Sequence, residues 1–313
     1  MPSETHYDAI VIGGSYAGLS GAMQIARSGR PVCILDSGQP RNRFAAHSHG
    51  FFGQDGQTPQ QMISQARADL ARYPNVTFIN TRAVRANPTA DSFRVITETG
   101  EALQAHKLLL AYGVVDILPD IPGLQERWGV TALHCPYCHG YEVKGGRLGV
   151  LSVGPFSPHQ ALLTSDWGPV TYFLNGQPQP DELTLAKLTQ RGVTIEADVV
   201  TALEGESPAL SGVRLSDGRL TPLDALFLGS HIRFASDIAE QLGCATEDGM
   251  QGPLLSTDAF KQTTVPGVYA SGDITPRIGN ASMAAADGVW AGGSLHQSLI
   301  FGPLEALGQV ASD

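Results

Sequence analysis

The chain has 313 residues, enough for two domains each with its own core. Hydrophobic residues make up 42% and charged residues 16%, the balance of a globular protein and too apolar for disorder. A net charge of −10, a pI near 5.3 and no Lys/Arg cluster argue against a nucleic-acid or anionic-membrane surface, and four cysteines in so long a chain do not form a disulfide scaffold.

The opening segment, Met1-Pro2-Ser3-Glu4-Thr5-His6, has neither a basic n-region nor an apolar h-region. The longest apolar runs are far too short to span a bilayer, so a cytoplasmic protein with no membrane partner is expected. Tyr7 to Ile12 then reads as a buried strand, followed by Gly13-Gly14-Ser15-Tyr16-Ala17-Gly18 and an apolar-periodic helix through about Arg27. Pro31 to Leu35 is a second strand, ending in Asp36. This strand–glycine loop–helix–strand–acid layout is that of a dinucleotide fold. Gly13 permits the tight turn, Gly18 lets the helix pack close, and the helix N-terminus faces a pyrophosphate. Asp36 stands where a carboxylate can accept hydrogen bonds from an adenosine ribose. Ser15 replaces the usual middle glycine. Cys33 lies within the strand and reads as a small buried hydrophobe.

Arg41-Asn42-Arg43-Phe44 to His47-Ser48-His49-Gly50-Phe51 is a polar loop too long for a plain turn. Its two histidines have no carboxylate or third histidine close by in sequence, so it is read as a loop lying along a cofactor and not as a metal site. Pro59 to Tyr73 is amphipathic and helical; Val76 to Val84, Ser92 to Thr97 and Lys107 to Ala111 read as strands. Asp116 to Pro122, with Pro119 and Pro122, reads as a hinge.

His134-Cys135-Pro136-Tyr137-Cys138-His139-Gly140-Tyr141-Glu142 carries the chemistry. A C-x-x-C pair can close a small disulfide ring or hold half of a zinc site. Cys33 and Cys244 each stand alone, and no paired histidines lie at ligand spacing, so a redox dithiol is the expectation and no metal is called for. A structural disulfide is the alternative, weakened because so short a loop constrains the unfolded chain little. His134 and His139 flank the pair, and either could lower a thiol pKa or move protons.

Arg147 to Val153 is again a strand, and with Val170 to Leu174 it frames a second βαβ-like unit whose nucleotide signature has decayed. Ser152, Gly154 and Ser157 occupy the glycine positions beside Pro155. No lysine or arginine lies between Arg147 and Lys187, and the second strand ends in Asn175-Gly176 where an arginine would grip the extra phosphate of NADP. Asp217-Gly218 signals a hairpin. Gly267 to Ile274 is a strand ending in Gly272-Asp273, and Asn280-Ala281 opens a long small-residue helix, for which helix packing is as good a reading as approach of a ligand to backbone amides. Cys244 is most simply structural.

N-terminal dinucleotide loop, C-P-Y-C at the entry to a degraded second nucleotide domain, and C-terminal Gly-Asp-Ile with a small-residue helix together resemble the low-molecular-weight thioredoxin reductases over essentially the whole chain. Val11 to Ser20 and His134 to Glu142 look most like the branch that includes FAD-dependent dithiol oxidases closing disulfides in natural products such as gliotoxin, holomycin and romidepsin. The resemblance implies an α/β protein of two Rossmann-like three-layer dinucleotide-binding domains, the second inserted in the first. Residues 1–116 and 242–313 would form the FAD domain, and 117–241 the inserted NADPH-domain-like one carrying the dithiol. It also implies that Gly13, Gly14, Ser15, Ala17, Gly18 and Asp36 hold the FAD pyrophosphate and adenosine, with backbone near Val84 at the adenine. Arg41, Asn42 and His49 would lie along the cofactor, Gly272 and Asp273 at its ribityl chain, and Asn280 and Ala281 at the flavin's pyrimidine edge. Cys135 would be the interchange thiol and Cys138 the sulfur facing the flavin.

Three departures from the reductase pattern stand out. His139 replaces the small acid after the second cysteine, Tyr112 replaces the threonine of an Ala-Thr-Gly turn, and the decayed second signature counts against NADP(H). The expected protein is a homodimeric FAD-dependent dithiol–disulfide oxidoreductase, oxidising a small-molecule or peptide dithiol through Cys135 and Cys138, with His139 as acid/base and O2 or another acceptor. A conventional NADPH-dependent reductase of a thioredoxin-like protein and a non-catalytic redox sensor are the alternatives.

Overall fold

The computed structural model describes residues 5–276 and 279–304. The first four residues, part of the segment read above for a leader, and residues 305–313 of the expected FAD domain lie outside them. The chain divides into two compact units, the first made of residues 1–41, 60–115 and 233–313, the second of 42–59 and 116–232.

The first unit begins with β1 (Thr5–Ile12), α1 (Tyr16–Arg27), β2 (Val32–Leu35), α2 (Pro59–Leu70) and β3 (Val76–Ile79). Then come β4 (Ala83–Pro88), β5 (Phe93–Thr97) and β6 (Ala102–Leu110). β7 (Val114–Ile117) leads to the second unit, with β8 (Ala132–Leu133), α3 (Pro136–His139), β9 (Leu148–Leu151), α4 (Ser157–Thr164), β10 (Val170–Phe173), α5 (Glu182–Gln190) and β11 (Thr194–Glu196). It continues through β12 (Val200–Glu204), β13 (Gly212–Leu215), β14 (Leu220–Pro222) and β15 (Ala225–Leu228). β16 (His231–Phe234) leads back to α6 (Ile238–Leu242), β17 (Thr246–Asp248), β18 (Pro253–Leu255), β19 (Val268–Ala270) and α7 (Ala281–Phe301).

Ala9 to Ile12 and the whole of β2 are buried on both faces, which is why they read as unbroken apolar runs and not as alternations. They belong to a seven-stranded sheet in the order β3-β2-β1-β6-β5-β4, with β19 also on β6. β1, β2, β3, β6 and β19 run parallel, and β5 runs antiparallel to its two neighbours β6 and β4. The expected strand from Val76 to Val84 is therefore two. β3 pairs with β2 and β4 with β5 on the far side of β6, so the backbone has to leave one edge of the sheet between Asn80 and Arg82 and rejoin it at the other.

In the second unit a five-stranded parallel sheet, β11-β10-β9-β15-β8, is faced by helices on one side and by the antiparallel β12-β13-β14 on the other. Successive residues divide between the two cores, as a period of two demands. Val150, Tyr172 and Phe227 pack with Ala161 and Leu188, while Leu151, Phe173 and Leu228 pack with Leu203, Val213 and Leu215. The hairpin signalled by Asp217-Gly218 is the β13–β14 turn, with Gly218 at φ +89°. Both units are α/β folds, the first on a mostly parallel seven-stranded sheet and the second on a fully parallel five-stranded one. No helix among the described residues is long and apolar enough to cross a membrane.

Candidate functional site

The dithiol segment follows β8, an edge strand of a parallel sheet, and so lies beyond the carboxyl end of its strand, where open α/β sheets place their chemistry. Cys135 and Cys138 form a disulfide with Cα atoms 5.2 Å apart. Pro136 opens the one-turn α3, and Cys135 caps it, its Sγ accepting the Cys138 N–H at 3.2 Å. That donor favours a thiolate on Cys135 once the bond opens. Gly140 is required behind the pair, because a Cβ there would sit 2.6 Å from the Trp167 ring and from Pro136 O. Gln160 of α4 donates to the His134 carbonyl at 2.8 Å, which anchors the entry to the motif. Tyr137 and Tyr141 of the same segment stand 75% and 77% exposed, the Tyr137 ring set edge-on to Trp167.

His139 ends α3. Burial pushes its pKa below the ordinary imidazole range, Glu142 pulls it back up, and His49 adds to the lowering. His139 is therefore held towards its neutral form, a proton acceptor at neutral pH. His49 belongs to the second unit, in the loop of residues 42–59. Its Nε2 is 3.3 Å from Glu142 Oε1 and its Nδ1 3.6 Å from Asp55 Oδ1. Asn42 lies in the same stretch, its carbonyl accepting the Ala45 N–H.

The other expected residues gather in the first unit. Gly13 has φ +111°, and a Cβ there would meet Ala111 O at 2.3 Å; one on Gly18 would meet Gly13 O at 1.8 Å. Ser15 is the N-cap of α1 without a side-chain cap bond, and the first turn holds no acidic residue, so the positive helix terminus is available to an anion. Gly14 leaves space for Asp36, since a Cβ would lie 2.7 Å from that side chain. A Cβ on Gly272 (φ +80°) would lie 3.0 Å from the Ala17 Cβ, so the C-terminal Gly-Asp pair packs closely on the N-terminal loop. Asp273 pairs with Arg41 at 3.0 Å. Asn280 caps α7, its Oδ1 accepting the Met283 N–H at 2.7 Å, and Ala281 is the first helical residue. The Val84 carbonyl is taken by Gln241 Nε2 at 3.1 Å. Glycines where a Cβ cannot fit, two helix N-termini without acidic residues in their first turns and a carboxylate at the end of β2 suit a dinucleotide.

Two partnerships were not visible in the sequence. Arg67 of α2 holds Asp36 at 3.1 Å and stacks over Phe78 at 4.5 Å. Lys261 and Asp287, 4% and 2% exposed, pair at 3.0 Å, and Asp287 Oδ2 also accepts the Gly272 N–H at 3.0 Å and the Thr275 hydroxyl at 3.1 Å. This buried pair braces the turn that presents Asp273; removing one partner from such a pair typically costs about 3–5 kcal/mol. The one signal for it is a single acid inside an otherwise small-residue helix.

The pyridine nucleotide-disulphide oxidoreductase family matches residues 7–154 and 173–288. The chain is 33% identical over 306 residues to thioredoxin reductase tcpT of Claviceps purpurea (strain 20.1), covering 93% of this chain and 94% of that one. It is 30% identical over 309 residues to thioredoxin reductase sirT of Leptosphaeria maculans, covering 93% of each. An oxidoreductase from Agrobacterium tumefaciens of known structure superposes with a TM-score of 0.91 at 43% identity, over 95% of this chain and 99% of that one.

Proposed function

The chain belongs to the pyridine nucleotide-disulphide oxidoreductase family, as a thioredoxin-reductase-like thiol/disulfide oxidoreductase, and on that premise we propose that it is an FAD-dependent dithiol oxidase. The first unit is taken as the FAD domain and the second as the inserted domain that carries the dithiol. Gly13 to Gly18 and the α1 terminus would hold the pyrophosphate, Asp36 the adenosine ribose, Asp273 the ribityl chain, and the start of α7 the flavin edge. Bound FAD would supply a two-electron carrier for the reduced cysteine pair.

The chain's own part is thiol–disulfide exchange. A substrate thiolate attacks Cys135 Sγ, the Cys135–Cys138 bond breaks, and Cys138 leaves as a thiolate that is then protonated. The second substrate thiol displaces Cys135, so one S–S bond is lost from the enzyme and one is made in the substrate. Two electrons and two protons pass to the cysteine pair. His139, neutral because burial disfavours its charged form, accepts a substrate proton. Reoxidation returns two electrons and two protons to an acceptor, and with O2 the product is hydrogen peroxide.

What supports the oxidase direction is that the groups standing where a nucleotide grip would lie in the second unit bond to one another. Ser157 Oγ accepts the Val153 N–H at 3.0 Å, and Ser152 Oγ the Tyr172 hydroxyl at 3.0 Å. Asn175, at φ +49°, turns inward so that its Oδ1 accepts the Val200 N–H at 3.1 Å. Arg147 pairs with Asp224, Arg191 with Asp166, Arg214 with Glu204, and Arg219 with Glu196, Asp198 and Asp217. A 2′-phosphate approaching any of these guanidinium groups meets a carboxylate beside it.

Anaerobic stopped-flow mixing tests the direction. A dithiol should bleach the flavin through the cysteine pair, air should restore the colour with peroxide formed, and NADPH alone should reduce it slowly or not at all. Rapid bleaching by micromolar NADPH would restore the reductase reading.

A further inference from the structure

The dithiol segment does not end at His139. Glu142, three residues on, sets its Oε1 3.3 Å from His49 Nε2, and the other nitrogen of that ring lies 3.6 Å from Asp55 Oδ1. Asp55 is itself fixed by the Gly50 N–H, which its Oδ1 accepts at 2.8 Å. One imidazole thus spans a carboxylate of its own loop and a carboxylate of the motif that carries the redox cysteines. The titratable groups around this cluster are Asp55 and His47 on the loop, the latter with its ring centroid 6.3 Å from that of His49, and Glu142 and His139 on the dithiol segment.

We propose that His49 is a positioning residue of the dithiol site, which through its pairing with Glu142 governs how firmly His139 holds a proton. The inference rests on the dithiol reading of Cys135 and Cys138 but on neither the identity of the substrate nor the final acceptor.

The physical argument is one of signs. Exchange begins when a substrate thiol gives up its proton and the thiolate breaks the Cys135–Cys138 bond; an already protonated His139 cannot take that proton. Glu142 favours the charged form of His139, whereas His49 opposes it, both by its own charge when protonated and by engaging the Glu142 carboxylate. Removing His49 therefore leaves Glu142 free to strengthen the hold of His139 on its proton. Removing the charge of Glu142 does the reverse. A residue that only shaped the loop would change the rate by the same factor at every pH.

The test uses the full-length holoenzyme under anaerobic conditions, with dithiothreitol as the reductant, between about pH 5 and pH 8 where imidazole titrates. Opening of the Cys135–Cys138 bond is followed by acid quenching, alkylation and mass measurement, and each variant's rate is divided by the wild-type rate at the same pH. The ratio removes the titration of dithiothreitol itself. For His49→Leu the ratio should fall towards the acid end, by about threefold, as a tighter hold of His139 on its proton requires. For Glu142→Gln it should rise towards the acid end. Ratios flat with pH, or moving in the same direction in both variants, would overturn the role of His49. A wild-type disulfide that dithiothreitol never opens would instead overturn the dithiol reading, and this inference with it.

Discussion

Reactivity in this chain is decided by the surroundings of each sulfur. Cys33 is buried in β2, and burial pushes its pKa up to about 12. Cys244 is also buried and raised by burial, with its thiol 3.4 Å from the Thr263 hydroxyl. Both are thiols at any working pH, while Cys135 and Cys138 are only partly buried and already joined. Brief iodoacetamide treatment of the reduced native protein, followed by peptide mapping, should label the motif cysteines and spare Cys33 and Cys244. Cys135→Ser and Cys138→Ser should each abolish turnover, since exchange needs both an attacked and a resolving sulfur. Cys33→Ala and Cys244→Ala should keep it. Labelling of Cys33 at the rate of the motif would contradict the burial argument. The C-x-x-C spacing made the pair legible in sequence. His49 was not legible as part of the same site, because its link to Glu142 spans more than ninety residues and depends on how a loop folds back.

At the scale of elements, α1 and α7 show what a stripe of small residues can do. A Cβ on Gly288 would meet Ala17 O at 2.0 Å, and one on Gly292 would meet Gly21 O at 2.3 Å, so the two helices touch backbone to backbone. Gly288 and Gly292 of α7 serve this packing, while its first turn, capped by Asn280, stands before it. Gly293 in the same helix has nothing within 4 Å of its Cβ position. Urea denaturation should therefore separate two chemically identical substitutions. Gly293→Ala should stabilise by up to about 1 kcal/mol through helix propensity. Gly288→Ala should destabilise by about 1–3 kcal/mol through overpacking. Equal effects would mean that the close approach of α1 and α7 does not hold in solution.

For the whole molecule, the N-terminal glycine loop and the C-terminal Gly272-Asp273 turn belong to one unit although the other unit is inserted between them. The proposed cofactor site is complete only when both ends of the chain are folded together, so cofactor binding and folding are coupled by mass action. The protein should purify with FAD and not FMN, because the loop and Asp36 address the adenosine half. Asp36→Ala should weaken FAD retention and leave Arg67 without its carboxylate, while Gly13→Val should prevent it, since a side chain there collides with Ala111. Flavin-to-protein absorbance ratios and flavin release followed by chromatography check both. Full FAD occupancy in the two variants would refute the assignment of this loop.

Local chemistry was readable from the sequence alone wherever the signal lies within a few residues. The strand–Gly13–helix–Asp36 layout, the Cys135–Cys138 pair, the helix opening at Asn280-Ala281 and the lack of arginine in the second nucleotide-like loop are all of this kind, because chain connectivity sets their geometry. Tertiary structure alone decided which distant groups meet: Arg67 on Asp36, Arg41 on Asp273, Lys261 beneath the Gly272 turn, His49 on Glu142. It also decided that Arg147, Arg191, Arg214 and Arg219 of the second unit are paired with carboxylates and that burial holds His139 below the usual imidazole range. These depend on desolvation and on charges brought together across long stretches of chain, quantities that exist only once the backbone has closed around them.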